Sequence, residues 1–435
     1  MRKRALWIAL AAAGVIAAAA ALAWAATPAG QFTLALWRTP AAAEGALRSL
    51  MEDGGVRLLE QSHESRATAS LTGITAPGMA EGAVKVLAAT KLQVDSSYEN
   101  DTAEGMLTAQ VTSGAVPLLG VSVILSGNTL AVKSSELLDG AATLPVGGHS
   151  GPGTSLERRL RGIGGTPGSL TAGLMAARLQ QLAPAGSFTL EQRSVELLGQ
   201  PQACAAITLR LQGEALADAG LAMLSDAAGD AALRGSLSGW SPALAAAMEQ
   251  AVTGPDALRQ RLSQCTLTAT VLRRGFTAIG WEVQWQQPGG TLRFSAVAYA
   301  QGQQLDLRLS HSRDGNAVLD ASLLRTVGED GRPALAARVR ANGWELQLNG
   351  QQGAMEAETR QDMGSFCISL PGGGQAEGVL DRTLETGTAV DVQTPQWSEA
   401  ETRDIGNDPA SVRALLEGMG ERLKGLLASM GLIPR

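Results

Sequence analysis

Between Cys265 and Leu370 the chain alternates apolar and polar residues with a period of two, run after run. Trp281, Val283 and Trp285 alternate with Glu282, Gln284 and Gln286. Leu305, Leu307 and Leu309 alternate with Gln304, Asp306 and Arg308, and Trp344, Leu346 and Leu348 with Glu345 and Gln347. A strand sends successive side chains to opposite faces, so each run predicts a strand with one apolar and one polar side. Pro288-Gly289-Gly290, Arg313-Asp314-Gly315-Asn316, Glu329-Asp330-Gly331, Asn342-Gly343 and Asp362-Met363-Gly364 punctuate the runs. Asn-Gly in particular supplies the positive φ angles of a tight hairpin. An antiparallel meander of eight or nine strands is expected. Its one-sided apolar pattern means that the sheet covers something or is itself covered.

The carboxyl end offers a cover. Val412, Leu415, Leu416, Met419, Leu423, Leu426, Leu427 and Met430 recur at spacings of three and four, opposite Arg413, Glu417, Glu421, Arg422 and Lys424. That stripe predicts an amphipathic helix. Its expected place is on its own sheet, because a polar face of both signs lacks the cationic bias of helices that lie on anionic lipid.

A second, earlier meander is expected from Glu64–Leu71, Lys91–Tyr98, Glu104–Thr112, Leu118–Leu125 and Thr129–Ser134, separated by turn formers such as Glu99-Asn100-Asp101 and Ser126-Gly127-Asn128. Ahead of it, Leu47, Leu50 and Met51 suggest a short amphipathic helix over Ala41–Asp53. Gly147–Gly168 is too rich in glycine and proline to sustain a regular element. Helical patterning resumes over Ser169–Leu182. A hairpin of Phe188–Leu198 and Cys204–Leu211 then turns through Gly199-Gln200-Pro201-Gln202. An alanine-rich stretch from Glu214 to about Ser263 reads as three helices, one starting at Ser241-Pro242. The fold class is therefore α+β: curved antiparallel meanders packed against helices. The expected divisions are 1–26, 27–146, the 147–168 linker, 169–264 and 265–435.

The first of these divisions bears on location. Arg2, Lys3 and Arg4 precede an uncharged run from Ala5 to Ala26 that includes Leu6, Trp7, Ile8, Leu10, Val15, Ile16, Leu22 and Trp24. As a helix it would reach roughly 33 Å, enough for a hydrocarbon core of about 30 Å. The cations would keep the amino terminus inside. Ala23 and Ala25 also form the small-x-small pattern of a cleavable signal peptide, so anchor and leader both stand. Either places the body outside the cytoplasm, as a single-pass membrane protein or a secreted one.

Composition narrows function. Aromatics are 3% of the chain, which weighs against carbohydrate-stacking platforms and base-stacking surfaces, and the net charge of −6 with no dense basic tract weighs against nucleic acid as a partner. Cys204, Cys265 and Cys367 have no C-x-x-C spacing and no histidine near them in sequence. That is no zinc pattern. Cys204 and Cys265 both begin expected strands and are the preferred disulfide pair, with three free thiols as the other reading. His63, His149 and His311 are too scattered to form a helical metal site, and neither a metal nor a cofactor is expected. Gly148-His149-Ser150-Gly151-Pro152 imitates a nucleophile elbow but lacks its last glycine. Gly162-Ile163-Gly164-Gly165-Thr166-Pro167-Gly168 imitates a dinucleotide loop with no strand before it. Glu356 and Glu358 share an expected strand face as solvated acids, and Asp330 and Asp362 are expected in turns as caps of backbone amides.

A leader, a helix, a long meander and a covering helix together resemble the half-barrel family of bacterial lipoprotein carriers and related envelope lipid-binding proteins. The Val121–Lys133 hairpin running into Ser134-Ser135-Glu136-Leu137-Leu138-Asp139-Gly140 also resembles a unit of uncharacterised single-span bacterial envelope proteins. The resemblance implies a non-enzymatic protein that holds a lipid, an acyl chain or an apolar protein segment on a concave sheet face. The alternative expectations are an envelope scaffold or sensor ectodomain with no small-molecule ligand, and an envelope hydrolase whose site is assembled from distant acids.

Overall fold

The computed structural model describes residues 27–35, 52–57, 61–145, 183–230, 234, 242–387, 392, 402–405 and 409–429, with short breaks inside those ranges. Strands β1 (Glu52–Asp53) and β2 (Val56–Arg57) form a small separate hairpin. The first meander comprises β3 (His63–Thr75), β4 (Thr90–Glu99), β5 (Glu104–Ser113), β6 (Val116–Ser126), β7 (Thr129–Lys133) and β8 (Ala141–Pro145), with helix α1 (Glu81–Ala88) between β3 and β4. A hairpin of β9 (Phe188–Leu197) and β10 (Gln200–Gln212) leads into α2 (Gly213–Gly229), α3 (Pro242–Thr253) and α4 (Pro255–Ser263). The second meander is β11 (Thr266–Arg274), β12 (Thr277–Gln287), β13 (Gly290–Gln301), β14 (Gln304–Arg313), β15 (Asn316–Val327), β16 (Pro333–Ala341), β17 (Trp344–Gln351), β18 (Met355–Glu356), β19 (Thr359–Ser369) and β20 (Gln375–Thr386). Strand β21 (Thr402–Asp404) and helix α5 (Pro409–Ser429) complete the described chain.

The two meanders are one sheet. Strand β20 pairs antiparallel with β3, from Gln375 opposite Thr75 to Thr386 opposite His63. Among the described residues the registers run from β9 through β10 to β17, on through β19 and β20 to β3, and end with β8 and its parallel partner β21. The result is an open, curved, almost wholly antiparallel sheet. A bulge between Glu377 and Gly378 bends the seam. There a Cβ on Gly378 would stand 2.4 Å from the Ser70 carbonyl oxygen and 2.2 Å from Cζ of Phe366, so only glycine lets the Phe366 ring lie across this strand.

Local chemistry explains the hairpins. Asp314-Gly315 and Asn342-Gly343 both have positive φ, at 53° and 81° and at 49° and 83°. Two such residues in succession match the twist of the flanking strands. Leu198-Gly199 does the same at 53° and 75°, a costly conformation for leucine. The Leu198 amide donates to Asp306 Oδ2 at 2.9 Å, which holds the turn. This hairpin is tighter than its sequence suggests: Gln200, Pro201 and Gln202 belong to β10 rather than to the loop.

Other expectations are corrected. Asp362-Met363-Gly364 is no turn but the middle of β19, where a Cβ on Gly364 would meet the Asn349 carbonyl oxygen at 2.7 Å. Its glycine marks a close strand approach, not a bend. Glu356 and Glu358 do not share a strand face: Glu356 ends β18, and Glu358 follows Ala357, at φ 54°, in the turn. Glu52 and Asp53 lie in β1 rather than at the end of a helix. The three expected helices between Glu214 and Ser263 are present. The leader at 1–26, the 147–168 linker and the helical pattern over 169–182 lie outside the described residues. Among the described residues no helix is long and apolar enough to cross a membrane.

The core sits where helices meet β10–β12. Ile207, Leu209 and Leu211 on one face of β10 pack with Val271, Leu216 of α2 and Phe32. Phe32 meets Phe188 edge-on at 5.5 Å between ring centroids. Each large side chain buried here contributes about 1.5–3 kcal/mol. On the other face of β10, near its start, Cys204 and Ala206 pack with Leu197, Leu272 and Ile279.

Candidate ligand-binding face

In an antiparallel ladder, residues directly opposite each other share a face. Starting from the core, Ile207 faces Val271, which faces Trp281, which faces Ala296, which faces Leu309. The same face continues through Ala321, Val339, Leu346 and Ile368. It crosses the seam as Gly364, Leu380 and Ala69, and runs on through Leu92, Val111 and Leu119 of the first meander. The period-two pattern therefore produces a single apolar surface across both meanders.

That surface is not uniformly covered. Ile207 and Leu209 are 0% exposed beneath the helices, whereas Leu107 is 41%, Trp344 44% and Leu346 39% exposed. Leu292 and Val339 are exposed on the same face. Trp281 and Phe294 stack at 5.0 Å between centroids at the boundary of the two zones. Scattered apolar side chains on a surface need no explanation, but Val339 and Leu346 stand directly opposite each other with Trp344 two residues away, a contiguous patch of the kind that marks a binding site. On this face a cavity of about 400 Å³ opens among Leu305, Leu335, Leu380, Arg325 and Arg382. Arg360, only 2% exposed, grips both carboxylate oxygens of Asp362 at 2.8 and 2.9 Å, and Arg382 stands 3.5 Å from the same carboxylate. The Arg325 Nε donates to the Gln303 carbonyl at 2.7 Å. Of these charges the sequence singled out only Asp362, as a turn cap; the Arg-x-Asp spacing of residues 360 and 362, which puts both on one face of a strand, is the signal that marks the pair.

The opposite face is polar and cross-linked by exposed ion pairs. Arg66 bonds Asp95 at 2.7 Å, and Glu345 sits between Arg338 and Arg340 at 2.8 and 2.7 Å. Hydrogen bonds from Gln347, then Arg340 and Arg338, pull the Glu345 carboxyl down to about 2.

The remaining expected residues are placed as follows. Cys204 precedes the Ala205–Arg273 end of the β10–β11 ladder, and Cys265 lies just past its Gln212–Thr266 end, so the thiols stand roughly 30 Å apart. A disulfide needs Cα atoms within about 7 Å, so this pairing is excluded in the folded chain, and both are buried free thiols. Burial raises both thiols above their usual range, which makes them unreactive core residues. His63 is buried with Nδ1 3.0 Å from the Gln61 carbonyl, and no cluster among the described residues could hold a metal ion. Asp330 caps the Arg332 amide at 3.1 Å, as expected; Asp362 also accepts from a backbone amide, that of Gly353 at 3.0 Å, but it does so from within a strand and while paired with Arg360.

Helix α5 forms where the stripe places it, but its partner differs from the expected one. It lies beside the end of the first meander, with Arg422 Nη1 bonded to Asp139 at 2.9 Å and a cavity of about 430 Å³ between the helix and Leu137–Ala142. Leu415, Met419, Leu423 and Leu426 are half-buried and Leu416 is 58% exposed; the side chains of Val412, Leu427 and Met430 lie outside the described residues. The Ser134–Gly140 unit is a folded-back turn: Glu136 accepts from the Gly120 amide at 3.1 Å and from Ser135 at 2.6 Å.

No family model matches this chain, and no curated protein does. Among solved structures it is similar to the crystal structure of MucB in complex with MucA(peri), at 10% identity over 80% of this chain and 100% of that one, with a TM-score of 0.11. It is also similar to a double mutant of the vaccine antigen transferrin binding protein B from Haemophilus parasuis, at 7% identity over 75% of this chain and 76% of that one, with a TM-score of 0.12. Both likenesses are too slight to carry fold or function across.

Proposed function

We propose that this chain is a non-enzymatic, membrane-tethered protein of the cell envelope that holds a lipid acyl chain or an apolar protein segment against the uncovered part of its apolar sheet face. The observation that carries the reading is the exposure of the neighbouring Val339, Trp344 and Leu346 on the same face that forms the buried core at β10. Apolar surface of this kind gains about 25 cal/mol for each Å² taken from water, which favours an apolar occupant. The half-barrel resemblance and the basic-then-apolar leader support the envelope setting.

Titration of delipidated protein with a fluorescent fatty-acid analogue tests it. Saturable binding, weakened by Val339→Glu and Leu346→Glu together, is the expected result; no binding to any acyl probe removes the lipid version. The scaffold reading draws on the half of the face that Phe32 and α2 already fill. It gains ground if the double variant keeps full association with an envelope protein partner. Location is tested separately, by reporter fusions at the carboxyl end that are active only outside the cytoplasm.

A further inference from the structure

The polar face carries a feature unrelated to the acyl reading. Across β9–β14 it hollows into a cavity of about 1000 Å³. Two rows of side chains cross its floor at right angles to the strands. The first is Arg210, Thr268, Gln284, Arg293 and Ser312, each directly opposite the next. The second is Thr208, Thr270, Glu282, Ser295 and Ser310, again in unbroken register.

The rows differ in their electrostatics. Glu282 is taken up by Arg193 at 2.9 Å, and Arg193 also bonds Glu191 at 2.8 Å. The side chains of Arg210 and Arg293 have no hydrogen-bonded or ion-paired partner among the described residues. Their backbone positions stand three strands apart, roughly 14 Å at the usual strand spacing. Between and beside them are hydroxyls that bond in pairs, Thr208 with Thr270 at 2.9 Å and Ser295 with Ser310 at 2.7 Å. Each hydroxyl keeps capacity to spare, since it can donate once and accept twice. The cavity lining thus carries three guanidiniums against two carboxylates, in a chain whose net charge is −6.

This chemistry selects its ligand. An acyl chain would desolvate the two guanidiniums and the spare hydroxyl capacity without bonding either. A nucleic acid strand would find no aromatic platform in the rows, and a lone phosphate would leave most of the hydroxyls unused. An extended, hydroxyl-rich chain bearing carboxylates fits a site that offers hydrogen bonds and charge rather than aromatic stacking: its hydroxyls match the Ser, Thr and Gln side chains, and two acidic groups meet the two arginines through charge-assisted hydrogen bonds. We propose that the β9–β14 cavity binds a segment of an acidic glycan laid across the strands, with Arg210 and Arg293 as its two anchors.

Calorimetric titration of the full chain in detergent with oligogalacturonate and oligomannuronate, against a neutral oligosaccharide of equal length and inorganic phosphate, tests the proposal. Saturable binding of an acidic oligosaccharide is expected, weakened about tenfold by Arg210→Gln and by Arg293→Gln and left unchanged by an acyl probe. Both arginines are exposed, so circular dichroism of the variants should match the parent. The proposal is overturned if neither uronate binds, if the neutral oligosaccharide or phosphate binds as tightly, or if folded variants bind unchanged. The comparison of acidic with neutral chains on the parent protein stands even where a variant fails to fold.

Discussion

Strands β10–β12 and strands β15–β17 are written in the same alternating pattern, yet the first group builds a core and the second presents a surface. The difference lies in what covers them. Above β10–β12 the chain supplies Phe32, Leu216 and Ala219, and Ile207, Leu209 and Leu211 are sealed from water. Above β15–β17, Val339, Trp344 and Leu346 keep more than a third of their surface exposed. A period-two pattern specifies that a face is apolar; it carries no information on whether the chain or a partner closes it.

Variants can sharpen this contrast. The largest effect is expected in the covered zone, where Leu209→Ala should cost about 2–5 kcal/mol in chemical denaturation, because neighbouring side chains close the cavity only in part. A cost below about 1 kcal/mol would mean that this zone is not a packed core. Next comes the seam. Gly378→Ala forces a methyl against the Ser70 carbonyl and the Phe366 ring, and should cost about 1–3 kcal/mol while loosening amide protection on both β20 and β3. Unchanged protection on either strand would argue that the meanders are not one sheet.

A smaller effect is expected at Glu345 on the polar face. Its folded pKa is held near 2 against an ordinary 4.5, so its contribution to stability is complete above about pH 4.5 and is lost as pH falls through about 2. Glu345→Gln should flatten the acid limb of the stability curve in that window and leave neutral pH almost untouched. A loss confined to neutral pH would refute the assignment. Smallest of all, Leu346→Gln in the open zone should change stability by about 0.5 kcal/mol or less, while measurably weakening an acyl probe. Destabilisation comparable to that of Leu209→Ala would place Leu346 in a core and end the contrast.

The strands and most turns were legible because alternation and Asn-Gly or Asp-Gly chemistry are local properties. The Asp362-Met363-Gly364 segment misled because glycine serves close strand approach as well as turns, and only the partner strand distinguishes the two. Helix α1 went unread, being only Glu81–Ala88. The amphipathic stripe of α5 announced a helix with an apolar side but not the neighbour that side would meet. Fusion of the meanders was invisible for a related reason: Thr72 donates to the Glu377 carbonyl across 305 residues of chain. The apolar site residues were readable as a face. Their division into core and open surface was not, since it depends on where Phe32 and α2 dock.

The most direct measurement of that division is photolabelling with a diazirine fatty acid, mapped by mass spectrometry. Saturable adducts on β15–β17, centred on Val339, Trp344 and Leu346 and absent from β10, are the expected result. Adducts confined to the polar rows of β9–β14, or labelling that never saturates, would contradict the account.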